Sequence, residues 1–328
     1  MSGKRHPTYR PLFPYFGGKS PVADIVWRAL GDVPNYVEPF FGSGAVLFLR
    51  PGGPGHIETV NDADGLVANF WRAVQQRPDE AAFYADNPVN ECDLHARHLW
   101  LIGNRERITE RLMGDADFCD PKAAGWWAWG MSCWIGSGWC SGAGPWGVEG
   151  GEMVLRNPGK GVNRQLPHLG DPGKERLAWL AAEIGRFAAR LRNVRVCSGD
   201  WSRVCGPSVT YRHGLTGVFL DPPYADTAGR TANLYATDCE QVAHDVRLWA
   251  VEQGQNPLMR IVLAGYDGEH AMPPDWTMVE WQAAGGYGLI GDDEDGVGRA
   301  NRRRERLWLS PHCSPERQAD LFSVALRH

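Results

Sequence analysis

The sequence predicts an α/β fold: a mostly parallel, twisted sheet with helices on both faces, interrupted by an inserted and mostly helical domain. Three observations carry that expectation. Tyr36-Val37-Glu38-Pro39 reads as a short strand, followed by the glycine turn Phe40-Phe41-Gly42-Ser43-Gly44 and an apolar helix from Ala45 to Leu49, the opening of a dinucleotide-type unit. Far downstream, the apolar run Thr216-Gly217-Val218-Phe219-Leu220 is stopped by Asp221-Pro222-Pro223-Tyr224, because prolines cannot continue a strand ladder. Between the two, the periodicity turns helical from Gly65, and tryptophan and glycine dominate after Pro121.

A chain of 328 residues holds one large domain or two smaller ones. It has no apolar run of the roughly 18 residues that a membrane span needs, and no charged-then-apolar start typical of a signal peptide. The eight cysteines form no CxxC pair and no regular framework, which points to free thiols in a reducing cytoplasm. The net charge of −5 does not suggest a polyanionic partner, but the charge is segregated. Basic residues exceed acidic ones from Trp126 to Thr210, the stretch from Tyr211 to Asp295 is acidic, and Arg299, Arg302, Arg303, Arg304 and Arg306 follow. That distribution permits a basic groove on an acidic body.

In chain order, residues 1–13 read as a loose basic arm. Pro14-Tyr15-Phe16-Gly17-Gly18-Lys19-Ser20-Pro21 precedes a helix, with Ser20 expected as its N-cap and Pro21 as its first residue. Gly18-Lys19-Ser20 is not a nucleotide P-loop, since Phe13 stands where that motif needs a glycine. A second strand, Ile57-Glu58-Thr59-Val60, runs into Asn61-Asp62, and Asp62 follows Gly42 by twenty residues. That spacing suits an acid accepting hydrogen bonds from ribose hydroxyls. The absence of a pyrophosphate fingerprint disfavours NAD and suits S-adenosylmethionine.

Cys92, His95 and His98 fall at i, i+3 and i+6 but lack a fourth ligand, so half-buried or surface side chains are expected rather than zinc. Trp126, Trp127, Trp129 and Trp134 predict the packed face of a helix, and the glycine-rich Gly136–Gly151 stretch reads as loops. Leu177, Leu180, Ile184, Phe187 and Leu191 make one apolar helical face, and Val194-Arg195-Val196-Cys197 a strand closed by Ser198-Gly199-Asp200-Trp201. Beyond Tyr224 come a polar loop through Thr231–Tyr235, a helix marked by Val242, Val246 and Trp249, and strands at Arg260–Tyr266, Trp276–Trp281 and Arg306–Leu309. Residues 282–305 read as a hairpin loop.

Tyr-Phe-Gly-Gly-Lys at 15–19, Val-Glu-Pro-Phe-Phe-Gly-Ser-Gly at 37–44, Asn61-Asp62 and Asp221-Pro222-Pro223-Tyr224, in this order, resemble the Dam-type, alpha-class DNA N(6)-adenine methyltransferases. The resemblance implies a Rossmann-like S-adenosylmethionine-dependent methyltransferase sheet from residues 1–64 and 190–328, with a target-recognition domain inserted at 65–189. It implies Asp221, Pro222, Pro223 and Tyr224 at the target base. Around the cofactor it implies Tyr15, Phe16, Lys19, Glu38, Pro39, Phe40, Gly42, Ser43, Gly44, Asp62, Asp200 and Trp201. The expected DNA contacts are Arg156, Lys160, Arg164, Arg302, Arg303 and Arg304. No metal is expected.

The implied reaction is methylation of a flipped adenine in double-stranded DNA. The setting would be restriction–modification or phage DNA modification in a bacterial cytoplasm, by a monomer or weak dimer without an obligatory protein partner. The alternatives are N(4)-methylation of cytosine, which needs the same pocket chemistry, RNA or protein glutamine methylation, whose enzymes usually lack the Tyr-Phe-Gly-Gly-Lys element and such an insertion, and an inactive DNA-binding relative. The chain departs from the family at Gly130-Met131-Ser132-Cys133-Trp134-Ile135-Gly136, where members often carry Asn-Arg and Asn-Gly-Leu runs. That departure leaves the target sequence open.

Overall fold

The computed structural model of the chain describes residues 12–13, 18–134, 139–140, 146–150, 152–155, 176–223, 234–281 and 305–314. Within them, β1 (Asn35–Glu38), β2 (Ile57–Asp62), β5 (Arg195–Ser198), β6 (Thr216–Leu220), β7 (Met259–Tyr266), β8 (Thr277–Glu280) and β9 (Glu305–Leu309) form one sheet in the order β5-β2-β1-β6-β7-β9-β8. Pairing is parallel from β2 through β1 and β6 to β7, and antiparallel between β7, β9 and β8. The α/β expectation therefore holds, with a mixed edge. β1 and β6 are buried along their whole length, as parallel strands covered on both faces must be.

The strand order reverses beside β1. The chain moves from β1 outward to β2, and later returns to place β6 on the other side of β1. In open α/β sheets such a reversal leaves a crevice at the carboxyl ends of the two strands.

By internal contacts the chain separates into two compact units. The first comprises residues 1–7, 19–60 and 201–328, and the second 8–18 and 61–200. In the first, α1 (Ala23–Leu30) packs on β6 and β7. It begins later than Ser20 and Pro21 suggested: Val22 is its N-cap, and the Val22 amide donates to the Lys19 carbonyl at 3.2 Å. Residues 19–22 are spent on a turn, and that turn aims Lys19. The short α2 (Ala45–Phe48) follows the glycine turn, and α8 (Leu234–Gln253) packs on β7. The start of α8 takes in Leu234 and Tyr235, which the sequence suggested as loop.

In the second unit, α3 (Gly65–Gln76) is capped by Asp64, α5 (Glu91–Gly114) by Asn90 and α6 (Pro121–Cys133) by Asp120, each through its side-chain oxygen. They pack with α4 (Pro78–Ala85) and α7 (Arg176–Leu191). The core is aromatic. Phe13 meets Phe70 edge-on at 5.1 Å and Trp127 at 4.9 Å, and Trp71 packs against Phe187. Trp127, Trp129, Trp134 and Trp139 are buried. Gly130 must be glycine, because a Cβ there would lie 1.9 Å from the Trp139 ring.

Three further expectations need correction. The glycine-rich stretch contains an antiparallel hairpin, β3 (Trp146–Glu149) and β4 (Glu152–Leu155), since Gly150 supplies the positive φ its tight turn requires. Leu177 is exposed because it lies in the first turn of α7, ahead of the face that Leu180, Ile184 and Phe187 bury. His98 is fully buried, stacked on Trp134 with ring centroids 4.7 Å apart, while Cys92 is exposed. Among the described residues no group of three His, Cys, Asp or Glu is placed to hold a metal. No described helix is long and apolar enough to cross a membrane.

Burial pushes the His98 imidazole down to about 4, so the folded protein keeps it neutral. An unfolded chain takes up that proton near pH 6.5, so stability should fall as pH drops from about 6.5 to about 4, by at most about 1.4 kcal/mol per pH unit from this group. His98→Phe keeps an aromatic ring against Trp134 and removes the titration. Melting curves of the variant should therefore depend less on pH in this window than those of the wild type.

Candidate active site at the carboxyl edge of the sheet

Both strands flanking the crevice end on an acid. β1 ends at Glu38, and β6 stops at Leu220 because Pro222 and Pro223 leave no ladder donors, placing Asp221 at its tip. The β1–β6 register sets Val37 beside Val218, which brings Glu38 level with Phe219, on the same face as Asp221. β9 adds a third acid. Glu305, its first residue, pairs with Tyr266, while Leu263 pairs with Leu220. Asp221 is thus level with Ala264, two residues before Tyr266, so the pleat sends Glu305 to that same face.

Lys19 answers this charge. Its Nζ lies 3.0 Å from Asp221 Oδ2, with the lysine side chain 5% exposed and the aspartate 20%. Glu38 is 2% exposed and accepts from the Tyr36 hydroxyl at 2.9 Å and from the Leu47 amide. Burial raises its pKa well above the usual carboxylate range, and the charge of Asp221 adds to the rise. Tyr36 is raised as well, first by burial and then by Glu38. Glu305 is 8% exposed and also raised by burial, with Lys19 pulling it down and Asp221 pushing it up. Its Oε2 is buried without a hydrogen-bond partner.

The turn between Glu38 and α2 keeps backbone close to this edge. Gly42 and Gly44 both have positive φ, and a Cβ on Gly44 would lie 2.6 Å from the Phe48 ring and 2.7 Å from Phe41. Pro39 and Ser43 are buried, and Phe40 is half-buried. Trp201 stacks on Phe40 (6.4 Å, 27°) and meets Trp249 edge-on at 6.1 Å.

Of the site residues expected from sequence, the first unit contains Lys19, Glu38, Pro39, Phe40, Gly42, Ser43, Gly44, Trp201, Asp221, Pro222 and Pro223. Lys19 and Asp221 meet directly, and Glu38 lies within electrostatic range of Asp221. Asp62 and Asp200 belong to the second unit. There the Gly199 amide donates to the Asp62 carbonyl at 3.1 Å and the Asn61 side chain to the Gly199 carbonyl at 2.9 Å, while Asp62 Oδ1 accepts from the Asp64 amide. Tyr15, Phe16, Tyr224, Arg156, Lys160, Arg164, Arg302, Arg303 and Arg304 lie outside the described residues. Sequence reasoning missed Glu305. Its one signal was an acid between the arginine cluster and the apolar Leu307-Trp308-Leu309.

No protein-family model matches the chain, and no curated protein matches it either.

Because folded Glu38 holds its proton to higher pH than an unfolded chain does, it makes stability fall as pH rises from the ordinary carboxylate range through its raised pKa. In Glu38→Gln the amide oxygen can take the Leu47 amide while the Tyr36 hydroxyl turns to accept from the new NH2. Without ligand, this variant should melt several degrees higher than the wild type at pH 8 and show little difference near pH 4, read by calorimetry.

Proposed function

We propose that this protein is an S-adenosylmethionine-dependent DNA methyltransferase of the Dam type. Its reaction is methylation of the exocyclic N(6) of an adenine flipped out of the duplex. The observation that carries the reading is the lysine-held Asp221 carboxylate at the tip of β6, followed by two prolines, in the crevice beside β1.

The chemistry explains those residue types. An aromatic amine is a weak nucleophile because its lone pair is conjugated with the ring. The Asp221 carboxylate accepts one N–H and the Pro222 carbonyl the other, holding the nitrogen nearer to tetrahedral geometry with its lone pair free. Tyr224 offers a face for the base to stack on. The Asp221 carboxylate is also the nearest acceptor for the proton that the nitrogen sheds.

S-adenosylmethionine, when bound, supplies an electrophilic methyl group on a positively charged sulfur. The residues present fit such a ligand. Glu38 is a buried acid that gains from a nearby cation, the Gly42–Gly44 turn brings backbone N–H groups close, and Phe40 with Trp201 offers an aromatic wall. Residues 65–189 act in this reading as the target-recognition domain. Flipping the base costs a few kcal/mol, offset by phosphate and pocket contacts.

DNA from cells expressing the protein should contain N(6)-methyladenine by nucleoside mass spectrometry. Asp221→Ala, confirmed folded by circular dichroism, should give none while still binding DNA. Methylcytosine would move the reading to the cytosine amine, and no modified base would end it. In a second test, changing Arg302, Arg303 and Arg304 together to Ala should weaken DNA binding. The slope of log affinity against log salt should flatten by about 0.9 for each phosphate the variant no longer neutralises.

A further inference from the structure

The buried acids at the carboxyl edge are not equally accounted for. Glu38 has the Tyr36 hydroxyl and the Leu47 amide, and Asp221 has Lys19. Glu305 keeps one carboxylate oxygen buried with no hydrogen-bond partner, and a buried polar atom left so costs stability. Leu307 and Leu309 point to the same face of β9 and are apolar, so nothing in the strand's packing calls for a charge at its first position.

Placement supplies the reason. Two strand spacings separate β6 from β9, about 10 Å, and the side chains of Asp221 and Glu305 rise from one face of the sheet at the same edge. An ammonium carried on a four-carbon stem between them can serve both. Lys19 is already 3.0 Å from Asp221, and its charge acts on Glu305.

We propose that Glu305 is a further positioning residue of this site, which draws the Lys19 ammonium partly away from Asp221 and so leaves Asp221 able to accept an N–H from a substrate amine. The inference rests on the reading of Asp221 given above. An ammonium bonded to Asp221 alone competes directly with the amine for the carboxylate lone pairs. Drawn toward a second carboxylate, it still neutralises the buried negative charge, but it holds Asp221 less tightly and leaves it more open to the substrate. Loss of the Glu305 charge, by protonation or by substitution, removes that pull and strengthens the hold of the ammonium on Asp221. Methyl transfer should therefore rise with pH as Glu305 ionises.

The test combines kinetics with a measurement that needs no activity. In Glu305→Gln, kcat for methyl transfer should fall about tenfold, with KM for S-adenosylmethionine changing far less. The acidic limb of the kcat–pH profile should vanish or move. Glu305→Asp keeps the charge on a shorter arm and should recover part of kcat and the acidic limb. A Gln variant with wild-type kcat and an unchanged pH profile overturns the proposal.

Independently, the melting-temperature shifts of Glu305→Gln and Lys19→Met should be non-additive in the double variant, because each removes the other's partner. Strict additivity also overturns the proposal. If the wild type transfers no methyl group, the functional reading fails, and the cycle still decides whether Glu305 holds Lys19. If Glu305→Gln does not fold, Glu305→Asp carries both measurements, with an unaltered pH profile or additive shifts as the overturning results.

Discussion

A carboxylate buried at the end of a strand either holds its proton to higher pH, as Glu38 does, or finds a positive charge, and the first unit is arranged so that Asp221 finds Lys19. β6 ends at its last ladder pair, and the two prolines begin two residues beyond it, which fixes Asp221 between them and the strand. The turn at residues 19–22 uses the Lys19 carbonyl to start α1, and α1 is anchored by packing on β6 and β7. The lysine is therefore delivered from an element that rests on the strand carrying its partner. A buried pair of this kind adds little net stability, because desolvation of both charges cancels most of their attraction.

The same unit contains a buried ion pair built the other way. Arg50 meets Glu58 at 3.0 Å, donates to the Val33 carbonyl, and lies over the Trp27 ring at 4.9 Å, while Glu58 also accepts from the Gly55 amide. That pair has its hydrogen-bonding capacity used within the fold. At the carboxyl edge the reverse holds: among the described residues three acids face Lys19, and Glu305 retains an unpartnered oxygen. Arg50 and Glu58 lock the β1–β2 loop. In the proposed function it is Glu305 that keeps capacity in reserve.

What the sequence disclosed follows the range of the interactions involved. Strand β6, its proline stop and the acids Glu38 and Asp221 were legible because each depends on neighbours within a few positions. Ser20 and Pro21 have the local chemistry of a helix start, yet the turn at residues 19–22 overrides it, which is a tertiary choice. The β3–β4 hairpin hid in a run whose glycines resemble loop punctuation. Glu305 was invisible because its significance lies in Lys19, almost the whole chain away. The i, i+3, i+6 spacing of Cys92, His95 and His98 signalled only a helical face. Nothing in that spacing told a buried His98 under Trp134 from an exposed Cys92.

For the proposed reaction, the tryptophans of the second unit narrow where DNA would be met. Trp127, Trp129, Trp134 and Trp139 are committed to the core, and Trp139 donates its indole N–H to the Trp127 carbonyl at 3.0 Å. They are not available to stack on bases. The edge formed by Glu38, Asp221 and Glu305 is equally unsuited to phosphate, since its described residues set the Lys19 ammonium against three carboxyl groups. Charge alone then divides the proposed reaction in space. A cationic methyl donor and a neutral amine suit the acidic edge, and the polyanionic backbone of the same substrate must be held away from it.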